Sequence, residues 1–128
     1  MKHVRLFLLM AAVLLCNARA KSYDFVVDGI YYNITDTVAL TVEVTYENTS
    51  YNSYSGKVVI PNVVINGDVS YSVTSIGDYA FYKSSLLTSV ELPLSLSRIG
   101  TYAFGSSGLL SFIIPESIVS IDKFAFNR

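Results

Sequence analysis

The side chains that most often perform catalysis are nearly absent from this chain. Its 128 residues contain one histidine, His3, and one cysteine, Cys16. A histidine beside a serine or cysteine provides the proton transfer of hydrolytic triads, and imidazole and thiolate are common zinc ligands. Both residues lie within the first sixteen positions, so the fate of that segment decides whether either chemistry is open to the folded protein.

The first twenty residues predict a secretory signal peptide. Basic side chains precede an uninterrupted apolar run over residues 6–16, and Ala18 and Ala20 are the small residues that a signal peptidase requires. The apolar run is too short to cross a bilayer as a helix. We therefore expect cleavage after Ala20 and export from the cell. The alternative is a lipoprotein signal acylated at Cys16, although Leu15 stands where that signal has a small residue.

Cleavage would leave a mature chain without histidine or cysteine. Histidine-dependent triads, zinc sites with imidazole or thiolate ligands, and disulfides are then excluded. Six basic and ten acidic side chains remain, for a net charge of −4. No basic block is present, which argues against nucleic acid or an anionic membrane surface as a partner. The mature chain also has no apolar run long enough for a membrane span.

The carboxylates of the mature chain form no catalytic or metal-binding pattern. Glycosidases hold two carboxyl groups about 5–10 Å apart across a cleft, whereas these acids are scattered along the sequence. The spacing of Asp24, Asp28 and Asp36 matches no calcium loop, and there is no glycine-rich phosphate loop. We expect no catalytic residue, cofactor or metal, and therefore a protein that is not an enzyme.

A seven-residue phrase recurs three times in the second half of the chain. The copies occupy residues 75–81, 98–104 and 120–126, and each has the form Ile-Gly/Asp-x-Tyr/Phe-Ala-Phe after its first residue. Ile76, Ile99 and Ile121 are therefore 23 and 22 residues apart. A fixed period in this range predicts a solenoid, in which each repeat buries its apolar side against its neighbours. We expect each copy to be a strand step leading into a helical or 3₁₀ turn.

The other half of each repeat is a short apolar run that ends at Pro61, Pro93 or Pro115. Proline has no amide donor, so it ends a strand ladder. Side chains alternate across a strand, so one set should face the core and the other solvent. The predicted repeat core is Ile76, Phe81, Val90, Leu92, Ile99, Phe104, Phe112, Ile114, Ile121 and Phe126. The predicted partner-binding set, called the strand face below, is Lys57, Val59, Ser89, Glu91, Ser111 and Ile113.

Residues 21–56 do not fit the repeat and predict an N-terminal β cap. Asp28-Gly29 indicates a tight turn between two strands, and apolar side chains alternate from Val38 to Tyr46 as in a third strand. Residues 47–56 are polar and aperiodic, as in a loop. Residues 62–71 lengthen the first repeat and predict an inserted hairpin with a turn at 66–68.

The repeats resemble the BspA-like leucine-rich repeats, which read roughly LxxVxIPxSVxxIGxxAFxxC. The match is carried by Leu87-Thr88-Ser89-Val90-Glu91-Leu92-Pro93, by Ile99-Gly100 and by Tyr102-Ala103-Phe104, and it covers about residues 57–126. The resemblance implies a mainly β, right-handed leucine-rich-repeat solenoid of about three short coils over residues 57–128, preceded by the cap. It also implies a secreted or surface protein that adheres to other proteins, such as host matrix or plasma proteins, without catalytic residues.

Two features depart from the family pattern. Serines replace the cysteine that usually follows Ala-Phe, and a buried serine there should find a backbone partner. The third copy is followed only by Asn127-Arg128, so we expect an uncapped and truncated end.

The leading hypothesis is thus a secreted module that binds a protein partner through the strand face. One alternative is a structural spacer or remnant of a longer repeat protein with no ligand of its own. Another is carbohydrate binding, since aromatic rings stack on sugars. The candidate rings for that role are Tyr46, Tyr51 and Tyr54, with the repeated Tyr79 and Tyr102.

Overall fold

The computed structural model describes residues 22–127, and the predicted signal peptide with its cleavage after Ala20 lies outside them. Nine strands and no helix are found within the described range. The strands are β1 (Phe25–Val27), β2 (Ile30–Asp36), β3 (Thr41–Thr45), β4 (Gly56–Val59), β5 (Val63–Asn66), β6 (Val69–Ile76), β7 (Leu87–Glu91), β8 (Arg98–Ile99) and β9 (Ser120–Ile121).

The cap is an antiparallel meander of β1, β2 and β3, which confirms the expected hairpin. Asp28 and Gly29 have φ values of 50° and 79°, the left-handed region that a tight hairpin turn requires. Phe25 and Tyr32 face each other across the first pair and are both buried. The alternating sequence of this segment therefore places one face of the meander on the core.

The predicted third strand begins later than its apolar alternation indicated. Val38 is 92% exposed, and Leu40 has a φ of 58°, so both belong to the turn between β2 and β3. Asp36 causes the difference, because its Oδ1 accepts the backbone N–H groups of Val38 and Ala39 at 2.8 and 2.9 Å. An aspartate that bonds to the backbone two residues ahead holds the chain in a turn.

The cap sheet continues directly into the repeats. β3 pairs in parallel with β6, which pairs with β8, and β8 pairs with β9. Ile76, Ile99 and Ile121 stand opposite one another in this ladder, so the repeat period is also the register of the sheet. The predicted insertion is the antiparallel hairpin of β5 and β6, with its turn at Gly67-Asp68.

The recurrent phrase has the same backbone shape in all three copies. Tyr79, Tyr102 and Phe124 have φ values of 61°, 55° and 60°, and the alanine after each one donates its N–H to the residue three positions earlier at 3.2 Å. These are hydrogen-bonded turns, so the expected helical or 3₁₀ segment is wrong for the described residues. A non-glycine residue with positive φ is unfavourable by about 1–3 kcal/mol, so the surrounding contacts must hold it.

Hydrogen bonds between successive coils supply those contacts. The Phe81 N–H donates to the Ala103 carbonyl at 2.7 Å, and the Phe104 N–H donates to Ala125 at 2.8 Å. Packing is so close that a methyl group on Gly77 would lie 2.8 Å from the Val44 carbonyl oxygen. Glycine at this position therefore permits the coil to approach the cap sheet.

The core follows the repeat over the first two coils and opens at the third. Ile76, Phe81, Val90, Ile99 and Phe104 are buried, and Leu92 and Phe112 are partly buried against them. Three expected core residues are instead exposed, namely Ile114 at 44%, Ile121 at 44% and Phe126 at 37%. These three belong to the last coil, and no described residue packs over its outer side.

The proline-terminated runs form strands in two repeats only. β4 and β7 pair in parallel as a separate two-stranded sheet before Pro61 and Pro93. The third run, before Pro115, was also expected to be a strand, but residues 109–115 form none. Within the described residues this run makes no ladder with β7, so the parallel sheet of β4 and β7 ends there.

Candidate interaction surface

The sheet of β4 and β7 presents the first two coils of the strand face. Val58 and Val90 point into the core, while Lys57, Val59 and Glu91 point to solvent. Val59 stands directly opposite Glu91 in the ladder. The alternation of short strands thus brings an aliphatic and an acidic side chain side by side on an open surface.

Lys57 and Glu91 form an ion pair across this sheet. Lys57 Nζ lies 2.9 Å from Glu91 Oε2, and both side chains are exposed. An exposed pair of this kind contributes at most about 1 kcal/mol to folding, so its principal effect is on the surface potential. The pair leaves little net charge at the centre of the strand face.

The third part of the strand face lies across a groove. Ser111 and Ile113 are exposed, Ile113 by 87%, and a groove of about 570 Å³ separates their segment from β7. Among the described residues, no backbone hydrogen bond joins residues 110–115 to β7. The structure therefore brings four members of the strand face together in one sheet and places Ser111 and Ile113 on the opposite wall of the groove.

Two aromatic ladders run along the repeats. In the inner ladder the rings of Phe81 and Phe104 are 4.9 Å apart and nearly parallel, and Phe126 follows at 5.6 Å from Phe104. In the outer ladder Tyr79 and Tyr102 are stacked at 5.4 Å, and Phe124 follows at 5.2 Å. Stacked rings of this kind add roughly 0.5–1.5 kcal/mol per pair beyond the area that they bury.

Both ladders begin in the segment that the sequence indicated as a plain loop. The Tyr54 ring lies 4.6 Å from Phe81, and the Tyr51 ring lies 5.4 Å from Tyr79. The two tyrosines are three residues apart in sequence, whereas the two ladder rings of each repeat are two residues apart. Because of this difference in spacing, the sequence does not show that Tyr51 and Tyr54 belong to the ladders. Tyr51 and Asn52 have φ values of 61° and 42°, and this left-handed stretch of backbone accommodates the one additional residue.

Tyr54 also fastens the cap to the first coil. Its hydroxyl donates to the Thr45 carbonyl at 2.6 Å and accepts the Tyr31 N–H at 3.0 Å. Burial raises the pKa of this phenol far above its usual value, so it remains protonated. The Tyr54 N–H donates to Ser84 Oγ at 3.4 Å, which gives this buried serine the expected backbone partner.

The ladders leave few ring faces for a sugar to stack on. Tyr54 is buried, and Tyr79 and Tyr102 cover one another's faces because they are stacked. Tyr46 packs edge-on against Tyr51. Carbohydrate platforms need an open aromatic face, so this arrangement favours a structural role for the tyrosines.

A charged row lies on the other sheet, over β3, β6, β8 and the turn after β9. Arg98 donates from Nε to Asp122 Oδ2 at 3.1 Å and from Nη2 to Asp78 Oδ1 at 3.0 Å. Burial lowers the pKa of Arg98, but the bond and charge of Asp122, with those of Asp78, raise it overall. Burial raises the pKa of the nearby Glu43, against the opposing effects of the Asn33 hydrogen bond and the Arg98 charge. These contacts couple the coils.

Neither a metal-binding cluster nor a membrane-spanning helix occurs in the part of the chain that the structure describes. Residues 22–127 contain no group of three or more acidic, histidine or cysteine side chains that could hold a metal ion. Over the same range there is no helix with the length and apolarity that crossing a membrane demands. Asp24 and Asp36, considered above as calcium ligands, accept backbone N–H groups of the cap instead.

A family model of the BspA type leucine-rich repeat region, built from six copies, matches residues 48–128. The chain belongs to this BspA-type leucine-rich repeat family. The match begins ahead of residue 57, where the sequence indicated the first repeat, and so includes Tyr51 and Tyr54. Leucine-rich repeat proteins generally mediate protein interactions and are typically not enzymes. The search of curated proteins gives no match.

Two solved leucine-rich repeat proteins share the fold. A leucine-rich cell surface protein from Faecalibacterium prausnitzii is 21% identical, with a TM-score of 0.52, over 79% of this chain and 33% of its own. A leucine-rich repeat protein from Bacteroides capillosus is 23% identical, with a TM-score of 0.51, over 76% and 62%. A third, from Bacteroides ovatus, is 29% identical over 81% and 38%, with a TM-score of 0.43. The BspA-type chain thus spans less than two thirds of each of these proteins.

Proposed function

We propose that this BspA-type repeat protein is a secreted or surface-exposed, non-enzymatic module that binds a protein partner through the strand face. The observation that carries the proposal is the open β4–β7 sheet, where Val59 and Glu91 stand side by side and Ile113 lies across the groove. Repeat proteins use such stacked strands as recognition surfaces. A host matrix or plasma protein is the proposed class of partner.

The chemistry of the surface supports a protein rather than a nucleic acid. The face combines exposed aliphatic side chains with a neutralised ion pair, and it carries no cluster of arginine or lysine. Exposed apolar residues gathered on one surface commonly mark a protein interface. The export proposal is supported by the predicted signal peptide and by the Faecalibacterium prausnitzii protein, which is named as a cell surface protein.

Two substitutions test the strand face. The immobilised chain is exposed to plasma and to extracellular-matrix extract, and the retained proteins are compared with those retained by Glu91→Lys and Ile113→Asp. We expect both variants to lose most of the saturable capture, because each places a charge where the partner would meet the face. Ile113→Asp should leave the thermal midpoint unchanged because the side chain is exposed. Glu91→Lys should lower it only slightly, through the loss of the exposed Lys57–Glu91 ion pair.

Matched controls carry the same changes elsewhere. Val38→Asp alters another strongly exposed aliphatic residue in the cap turn, and Glu116→Lys alters an exposed acid beyond Pro115. Both should retain full capture. Equal capture by all four variants and the native chain would exclude the strand face, and an absence of any saturable partner would favour a spacer role. Fractionation of producing cells tests export, with the chain expected at the surface or in the medium.

A further inference from the structure

A cleft of about 600 Å³ lies between the cap and the first coil. One wall is β4, another is β5 of the inserted hairpin, and the β1–β2 turn with Val27 and Asp28 closes one end. Pro61 joins β4 to β5 at a corner of the cleft. β4 and β5 are consecutive strands, and the cleft between them is about the size of a short peptide segment.

Both strand edges that line this cleft lack a hydrogen-bonded neighbour. β4 pairs only with β7, and β5 pairs only with β6, within the described residues. The N–H groups of Gly56 and Ile60 donate to carbonyls on the β7 side, so the alternate peptide groups of Lys57 and Val59 point the other way. Each edge therefore presents an unused set of backbone donors and acceptors.

The edge of β5 also has backbone groups that point away from its paired strand. The Val73 N–H donates to the Asn62 carbonyl, which places residues 62, 64 and 66 in bonded pairs with β6. The peptide groups of Val63 and Ile65 then point away from β6. Their side chains are 50% and 61% exposed and line the cleft, as does the exposed Val59. The cleft thus combines free backbone groups with aliphatic side chains.

We infer that this cleft binds an extended peptide segment of another protein, which adds a strand to the β4 edge. Unused N–H and C=O groups along a strand are satisfied by another extended backbone, and apolar side chains beside them receive alternate residues of the added strand. Asp28 lines the cleft without an ion-pair partner among the described residues, so the segment carries a basic side chain there. This inference rests on the proposed function, because it names the form in which a protein partner is bound.

A second copy of the chain fits the edge less well. Pairing two four-residue β4 strands would bring two Lys57 side chains onto one short ladder, where like charges are unfavourable. Lysine on an exposed edge strand is a common safeguard against such self-pairing. The edge therefore favours a foreign strand over its own copy.

The first test uses a defined peptide with the full chain. The probe is the acetylated and amidated heptapeptide Lys-Val-Thr-Val-Thr-Val-Ser, and its control has the same sequence with N-methyl groups on alternate backbone amides. We expect saturable NMR shifts and slowed hydrogen exchange at the amides of Lys57 and Val59 with the probe. The N-methylated peptide has the same side chains but blocks the ladder, so it should cause neither change. Equal binding of the two peptides, or no saturable shift at millimolar probe, overturns the inference.

The second test removes a donor from the chain. Val59→Pro deletes an N–H that the fold does not use, whereas Val59→Thr keeps it. We expect Val59→Pro to weaken probe binding about tenfold, as the loss of a backbone hydrogen bond does, and Val59→Thr to weaken it less. Should Val59→Pro fail to fold, the N-methylated peptide decides alone. Equal affinity of a folded Val59→Pro variant contradicts an added strand at β4.

The remaining outcomes separate this inference from the proposed function. If the probe does not bind while Ile113→Asp still abolishes partner capture, the strand face stands and the cleft inference is overturned. If sedimentation shows a dimer that Val59→Pro dissolves, the edge belongs to a second copy of the chain, which also overturns it.

Discussion

The inner aromatic ladder predicts a graded loss of stability when its rings are removed. Phe81 is fully buried between Tyr54 and Phe104, with ring distances of 4.6 and 4.9 Å. Phe126 is 37% exposed and packs on the ladder only from the Phe104 side, at 5.6 Å. The substitutions Phe81→Ala and Phe126→Ala therefore delete the same side chain from a closed and an open position.

The magnitudes follow from burial and stacking. Replacing a buried phenylalanine by alanine destabilises a protein by about 3–5 kcal/mol, and Phe81 belongs at the upper end because Tyr54 packs tilted against one side of its ring and Phe104 stacks on the other. Phe126 buries only about two thirds as much surface and has one ladder neighbour, so about 2–3 kcal/mol is expected. A domain of this size is stable by about 5–15 kcal/mol, so the first change removes a large share.

Urea unfolding, followed by circular dichroism and tyrosine fluorescence, measures both variants. Ile113→Ala is the control, since this side chain is exposed and should cost less than about 0.5 kcal/mol. The m-values must agree among the proteins, because repeat arrays can lose cooperativity. Equal losses for Phe81→Ala and Phe126→Ala would refute the in-phase stacking from which the difference was calculated.

Four further substitutions probe other contacts of the fold. Tyr54→Phe should cost about 1–3 kcal/mol because it leaves two backbone groups without their partner, whereas Tyr102→Phe should be nearly neutral, since phenylalanine already occupies the equivalent position of the third copy. Both are measured by thermal unfolding. Gly77→Ala should lower the midpoint of urea unfolding, because its methyl group would lie 2.8 Å from the Val44 carbonyl oxygen; an unchanged midpoint would show that the coil and cap are further apart. The raised pKa of Glu43 means that the folded state holds this proton more tightly than the unfolded state. Stability is therefore lost as pH rises from the ordinary value of 4.5 through the raised pKa, and Glu43→Gln should lack that part of the pH dependence in unfolding measured on both sides of the window.

The repeat period was sufficient to predict the register of the coils. Ile76, Ile99 and Ile121 align in one ladder because equal spacing along a solenoid returns each residue to the same place. Val58 and Val90 face inwards for the equally local reason that strands alternate. Both features depend only on neighbours in sequence or one period away.

Features that depend on particular side-chain bonds were not predictable from pattern alone. Val38 fits the alternation of a strand, but the Asp36 carboxylate holds it in a turn. Tyr54 joins the inner ladder although its spacing from Tyr51 differs by one residue from the repeat, because two residues with positive φ absorb the difference. The signal in the sequence for this relation was the pair Tyr51 and Tyr54, whose spacing is close to that of the ladder rings in each repeat.

The candidate site also has one part that the sequence pattern predicts and another part that it does not. The strand face over β4 and β7 follows from alternation, whereas the exposure of Ile114 and the groove before Ile113 depend on what packs beside the third coil. The free edges of β4 and β5 were not predictable either, because a sequence pattern shows that a strand can form but not how many neighbouring strands it pairs with.

Amide hydrogen exchange tests the central claim most directly, because backbone N–H groups between stacked coils are hydrogen-bonded whereas those at an open strand edge are not. We expect slow exchange for Phe81, Phe104, Gly100 and Asp122, whose N–H groups bond to the adjacent coil, and fast exchange for Lys57 and Val59. Fast exchange at Phe81 and Phe104, or protection of Lys57 and Val59 in the chain alone, would contradict the solenoid with an open β4 edge.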